Sequence, residues 1–301
     1  MENSKSKAQS QKMADPRVDN LYVDHSRHWR DYRFVYPVLS RRAGGISLGV
    51  DLNPGCECTF RCVYCQVPKH DLPEPRPTLD LDTLHEELYL LFKGTKEGAL
   101  FNNAPFDATP PDLRRINDIA FSGNGEPTLS PHFSAAVRIA AEVREDLAAP
   151  DVKLVLITNS TCLDRPEVID GLETLMANNG EIWAKLDAGT ESFYKTIDRS
   201  TVPFDKIMLN LQRTARRFPI VIQTLFSDYH GDGGPKPKEI NEYLLRLRDI
   251  LDVGGKIDHV QIHTVRRVPA EKGAEPLSKE FLEEIAERVR QTTGRPTFTY
   301  V

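Results

Sequence analysis

The stretch GGISLGVDLNPGCECTFRCVYCQ, residues 44–66, decides how the chain is read. Ile46 to Leu52 has the apolar, β-branched character of a strand, and Asn53, Pro54 and Gly55 break it. Three cysteines then fall in one short loop, Cys58, Cys62 and Cys65, spaced C-x3-C-x2-C. Cysteine thiolates are the usual ligands of iron–sulfur clusters, and electron carriers use four of them so that every iron is closed. Three can hold three irons of a four-iron cubane and leave the fourth open to chemistry. The loop follows a strand's C-terminal end, where βα-barrel enzymes keep their active sites.

Structural zinc stays open on these residues alone. Zinc sites use C-x2-C pairs with histidine as an occasional further ligand, and His70 or Cys56 could complete one. A disulfide framework is disfavoured. Five cysteines in 301 residues, with no apolar signal segment and no long hydrophobic run, point to a reducing, cytoplasmic setting without a membrane span.

A second segment, FSGNGEPTL at residues 121–129, has its own logic. Ile119 to Phe121 end a short apolar strand, and Gly123 and Gly125 flank Asn124 in a turn where backbone can approach a ligand closely. Glu126 then offers a carboxylate to a cation, and Pro127 closes the turn. Taken alone, such a segment reads only as a turn.

Downstream, strands and helices alternate. Strands are expected at Val152 to Thr158, Ile182 to Leu186, Ile220 to Phe226 and Ile257 to Val265. Helices are expected at Leu79 to Phe92, at Pro131 to Leu147 with Ser130 as cap, and at Asp164 to Ala177. Further ones run up to Arg217 and over Pro237 to Leu251. With strands near 48, 119, 154, 184, 222 and 260, the pattern is an α/β fold, a parallel (β/α)6 partial TIM-like barrel with right-handed crossovers. The length suits one such core spanning 46–270, with residues 271–301 as a helix-and-strand extension.

Residues 1–17 are polar and read as a disordered tail. Residues 18–45 read as an N-terminal arm packed on the barrel, because Tyr22, Trp29, Tyr32, Phe34 and Tyr36 interleave with His25, His28 and arginines. The net charge of −5 gives no global basic field for nucleic acid. Of the arginine pairs 41–42, 114–115, 216–217 and 266–267, Arg266 directly follows a barrel strand and is the candidate for a substrate phosphate or carboxylate. The irregular stretch from Gly94 to Arg114 reads as a lid or an insertion. Polar residues at strand ends supply the other site candidates: Thr158, Asn159, Lys185, Asp187, Gln223 and His263. Polar groups inside apolar strands need partners, and a ligand at a barrel mouth can be one.

The cysteine loop, with Tyr64 at the aromatic position of C-x3-C-x-aromatic-C, resembles the cluster motif of the radical SAM superfamily. FSGNGEPTL resembles that superfamily's second signature, the glycine-rich segment ending in Gly-Glu-Pro. Within it, SLGVDL, ITNST and KLDAGT are similar to the core of wyosine-type tRNA-modifying enzymes and of small single-cluster oxidoreductases, over about residues 46 to 270. The resemblance implies a [4Fe-4S] cluster on the three cysteines and S-adenosyl-L-methionine chelating the open iron. Tyr64, the turn Gly123, Asn124, Gly125, Glu126 and Pro127, and the strand-end residues would hold that cofactor. Glu126 would take its amino group, while Lys185, Asp187 and His263 would take ribose and carboxylate. It also implies a one-electron donor such as flavodoxin or ferredoxin, and hydrogen abstraction from a substrate that no motif names: a small molecule, a nucleoside or a protein. Only Cys56 and Cys162 remain after the triad, too few for a second cubane on three cysteines. A glycyl-radical-enzyme activase and a non-enzymatic iron–sulfur or zinc module remain as alternatives.

Overall fold

The computed structural model describes residues 16–23, 29–67 and 78–301. Eight strands form the main sheet: β1 (Val35–Ser40), β2 (Gly45–Asp51), β3 (Ile116–Ser122), β4 (Lys153–Thr158), β5 (Gly180–Lys185), β6 (Ile220–Leu225), β7 (Ile257–His263) and β8 (Thr297–Tyr300). They lie side by side in chain order. From β2 to β8 every neighbouring pair is parallel, and only β1 runs antiparallel, on β2. The six anticipated strands are β2 to β7, so the partial-barrel reading holds, with β1 and β8 added at the edges.

Alternation along the strands sets which face holds what. Leu48, Val50, Ile119, Phe121, Leu154, Leu156, Ile182, Ile222, Val260 and Ile262 are essentially inaccessible and belong to one large outer core. Helices cover it: α2 (Leu81–Lys96), α3 (Phe133–Asp146), α4 (Pro166–Ala177), α6 (Phe204–Arg217), α7 (Pro237–Asp252) and α8 (Lys279–Thr293). Each contributes an apolar stripe, as Leu84, Leu88 and Leu91 do from α2 and Leu282, Ile285 and Val289 from α8. The inner face carries a much smaller apolar patch, Ala120, Val155, Trp183 and Val221, among polar side chains. A sheet lined with polar groups on its concave side is built to hold a ligand rather than a second core. The sheet curls far enough that Arg41 and Arg42, from the β1–β2 turn, share one pocket with His263 of β7 and Tyr300 of β8.

Three boundaries differ from the sequence reading. Residues 127–129 make a 3-10 turn, and the Ser130 hydroxyl accepts from His132 N at 3.3 Å, so α3 begins at Phe133 rather than Pro131. Helix α4 begins at Pro166, because a proline holds the preceding residue extended, and Asp164 instead lies 3.3 Å from Lys206. The stretch from Gly94 to Arg114 is less irregular than expected: α2 runs on to Lys96 and three 3-10 turns follow, burying Leu100, Phe101 and Phe106. At the N-terminus, Pro16 and Arg17 open helix α1 (Pro16–Val23), while residues 1–15, His25, His28 and His70 lie outside the described residues. Both carboxylate oxygens of the buried Glu87 on α2 accept from the backbone of Arg33 and Phe34 at 2.8 Å, which anchors the chain entering β1.

Candidate active site

The cysteine loop leaves β2 and is tied down by backbone bonds from several directions. Arg61 N and Val63 N donate to the carbonyls of Asp198 and Ile197, at the end of helix α5 (Glu191–Ile197), both at 2.9 Å. Glu126 N donates to Glu57 O at 2.8 Å, Ala270 N to Cys65 O at 2.8 Å, and Ser200 Oγ to Thr59 O at 2.8 Å. Cys58 and Cys62 line a cavity of about 260 Å3 that runs along the inner face of the barrel up to the C-terminal ends of β3 and β4. Cys65 is not among the residues lining it, and its Sγ lies 4.0 Å from the carbonyl of Val67. Asn159 Nδ2 lies 3.7 Å from the Cys58 sulfur and 2.9 Å from Thr59 Oγ1.

The Gly123–Pro127 turn sits against this loop, and its glycines are forced by that approach. At Gly123, whose φ is +126°, a Cβ would come within 2.8 Å of the Asp51 carboxylate. A Cβ at Gly125 would collide with the Glu57 carbonyl. Asn124 donates through its backbone and side-chain nitrogens to the Asp51 carboxylate. Glu126 is 2 % exposed, and its carboxylate accepts from Thr128 N (3.1 Å), Thr128 Oγ1 (2.5 Å), Thr158 Oγ1 (2.6 Å) and Asn159 N (2.7 Å). Burial raises its pKa against the pull of those bonds. The carboxylate therefore braces the turn to the end of β4 as well as lining the cavity.

A buried polar chain runs behind Cys62. Its thiol is 3.5 Å from Asp198 Oδ1, and the Tyr64 hydroxyl reaches Asp198 at 3.4 Å and bonds Asp187. Lys185 Nζ pairs with Asp187 at 3.1 Å and lies 4.8 Å from the centre of the Tyr64 ring. Asp187 also accepts from Leu225 N at 2.7 Å. Burial opposes the charge on Lys185, but Asp187, Cys62 and Asp198 outweigh it and its pKa rises. Burial, then Asp198, pushes the Cys62 thiol well up, and burial, then Asp187, pushes Asp198 well up. A bare Cys62 thiolate is thus costly until a cation replaces its proton.

Of the sequence candidates, Gly123, Gly125, Glu126, Thr158, Asn159 and Lys185 line the cavity with Cys58 and Cys62. Tyr64 and His263 line a neighbouring pocket instead, and Gln223 bonds Gln261 at 3.3 Å. Asp187, Asn124 and Pro127 are not among the lining residues. Asp51 and Asp198 escaped the sequence reading, which has Arg42 only as a member of one of four arginine pairs. Asp51 shares with Lys185 the signal of a charge at a strand end; Asp198 follows a short helix and carries no such signal.

The Radical SAM superfamily model matches residues 52–230, more than half of the chain. The chain belongs to the radical SAM superfamily. Among curated proteins it is similar to the GTPase Obg of Brachyspira hyodysenteriae, 29% identical over 255 residues, covering 83% of this chain and 32% of that protein. It is also similar to a UPF0026 protein of Helicobacter pylori, 26% identical over 189 residues, covering 62% of this chain and 52% of that one. The chain thus spans about a third and about half of these relatives. Among solved structures it resembles a radical SAM methyltransferase from Sphaerobacter thermophilus, with TM-score 0.60, 12% identity and coverage of 88% of this chain and 68% of that one. TYW1 with a lysine-pyruvate adduct bound is similar at TM-score 0.54 and 13% identity, covering 91% and 80%. These likenesses are of fold.

Membership of a radical SAM family implies an iron–sulfur cluster and S-adenosylmethionine, and this chain's residues fit both. Three thiols sit in one anchored loop, two of them facing a cavity that two glycines open at the turn beside it. No helix among the described residues is long and apolar enough to cross a membrane.

Proposed function

We propose that this chain is a radical SAM enzyme whose Cys58, Cys62 and Cys65 each bind a different iron of a [4Fe-4S] cluster, with S-adenosylmethionine in the adjoining cavity. The observation that carries it is the shared cavity, where Cys58 and Cys62 meet Gly123, Gly125, Glu126, Asn159 and Lys185. Among the described residues no three His, Cys, Asp or Glu side chains are arranged around one metal ion. A single zinc needs that convergence. A cubane does not, because each thiolate takes its own iron; His70, the histidine that could complete a zinc site, lies outside the described residues.

A cluster held by Cys58, Cys62 and Cys65 would, once reduced, supply the electron that cleaves the cofactor's sulfonium and so the radical chemistry needed to take hydrogen from an unreactive C–H. The protein's share is to hold and to shield. The turn from Gly123 to Glu126 lets the cofactor's ammonium approach backbone and carboxylate. Lys185 stays charged beside the cavity, balanced by Asp187, and Thr158 and Asn159 fix the far wall through Glu126. Val155, Ile157 and Trp183 give the otherwise polar barrel interior an apolar patch, where water is less welcome beside a radical. An external one-electron donor of the flavodoxin or ferredoxin kind completes the reaction.

Iron analysis of anaerobically reconstituted protein tests the reading. The expected result is about four irons per chain, lost on changing Cys58, Cys62 or Cys65 to Ala and retained in Cys56→Ala and Cys162→Ala. Zinc in place of iron, or a full cluster after loss of one of the three, overturns it.

A further inference from the structure

The sequence places Asn159 among the residues that would hold the cofactor, yet in the fold its side-chain amide is fully engaged by protein. Asn159 directly follows β4 and is 4 % exposed. Its Oδ1 accepts from Thr161 N at 3.1 Å and from Thr161 Oγ1 at 2.8 Å. Its Nδ2 donates to Thr59 Oγ1 at 2.9 Å and lies 3.7 Å from the Cys58 sulfur. The hydroxyls of Thr59 and Thr161, 2.9 Å apart, close the ring. A primary amide has two N–H donors and two acceptor positions, so none is left over for a ligand. The amide cannot be turned round either. Thr161 N only donates, so the oxygen must face it and the NH2 group must face Cys58.

The three sulfurs of the loop are unequally served. Cys58 Sγ accepts from Phe60 N at 3.4 Å as well as from Asn159. Cys62 Sγ instead meets Asp198 Oδ1, and Cys65 Sγ the carbonyl of Val67, and neither has an N–H donor among the described residues. An N–H aimed at a thiolate draws charge off the sulfur, and the reduced cluster carries one more electron than the oxidised one. Such a bond therefore favours the reduced state, and hydrogen bonds to the sulfurs are among the levers on a cluster's potential. The backbone N of the same residue donates to Glu126 Oε2 at 2.7 Å. Asn159 thus ties the Cys58 sulfur to the carboxylate that faces the cofactor's ammonium.

We infer that Asn159 is a positioning residue for the cluster: its Nδ2–H on the Cys58 thiolate raises the cluster's reduction potential, bringing it within reach of a one-electron donor, and its side chain serves the cluster rather than the cofactor. This deepens the radical SAM reading and rests on it for the presence of the cluster.

The test is a redox titration of anaerobically reconstituted protein without cofactor, read by the paramagnetic resonance of the reduced cluster, in wild type, Asn159→Leu and Asn159→Asp. Leu removes the donor and adds no charge. Asp keeps the oxygen that Thr161 needs, removes the donor and adds a negative charge. At the wild-type midpoint the ratio of reduced to oxidised cluster in Asn159→Leu should be about tenfold smaller, a midpoint about 59 mV more negative for one electron. Asn159→Asp should lie lower still. The affinity of Asn159→Leu for S-adenosylmethionine should stay within about twofold of wild type, since the backbone bond to Glu126 is kept. Asn159→Ala takes the place of Asn159→Leu should that variant take up no iron. A midpoint in the uncharged variant equal to or above that of wild type overturns the proposal, and so does a lowering confined to Asn159→Asp, which charge alone would explain. Loss of cofactor affinity with an unshifted potential overturns it as well, by returning the side chain to the cofactor. Wild-type protein that takes up no iron overturns the cluster reading, and this proposal with it.

Discussion

Replacing Glu126 by Ala should cost the fold as well as the site. Its carboxylate takes four donors, two backbone N–H groups (Thr128, Asn159) and two hydroxyls (Thr128, Thr158), in a 2 % exposed position. The hydroxyls can rotate toward other acceptors, but the amides cannot. A buried donor left unmade costs about 1–3 kcal/mol, so the two amides set a loss of roughly 2–6 kcal/mol, with water entering the vacated space pulling it toward the low end. Glu126→Gln keeps the shape and an acceptor oxygen, and should lose less than Ala. Urea unfolding of the metal-free proteins, followed by circular dichroism with equal m-values, measures the difference. An Ala variant within about 0.5 kcal/mol of wild type would refute the brace, since surface substitutions already scatter that much.

Asp118, buried on the inner face and bonded by Ser47, has its pKa raised from 3.8 to about 6, chiefly by burial. Its contribution to stability is therefore most favourable below about pH 4 and is lost as pH rises through about 6, a span of about 3 kcal/mol. Asp118→Asn should thus unfold later than wild type at pH 8, with the gap closing by pH 4; denaturant midpoints at the two pH values check this, and a constant gap would count against it. Gly125→Ala should push the Glu57 backbone, and the cysteine loop with it, out of place. Iron uptake should fall sharply while the far-ultraviolet spectrum is kept, and normal uptake would show that the close approach is dispensable.

What the sequence discloses and what it hides divide along physical lines. The strands β2 to β7 are legible because each is a short apolar run bounded by breakers, and Lys185 stands out because a charge at the end of such a run needs a partner. Helix starts are less legible. Ser130 has the chemistry of a cap, but its hydroxyl closes a smaller turn on His132 first. Strand β1 hides inside an aromatic and basic segment whose composition fits a strap as well as an edge strand. The meeting of Arg41 with His263 is invisible along the chain, because it depends on how far the sheet curls. Asp198 is hidden for a similar reason: a loop-to-helix contact brings it to Cys62 across a separation of 136 residues.

On the proposed reading, the cysteine loop and the cavity beside it cleave S-adenosylmethionine reductively. Reconstituted wild-type protein, reduced with dithionite under nitrogen and given S-adenosylmethionine, should release 5′-deoxyadenosine and methionine even without substrate, and Cys62→Ala should release neither. An intact, reducible cluster that binds the cofactor and forms no 5′-deoxyadenosine with any low-potential reductant would contradict the account.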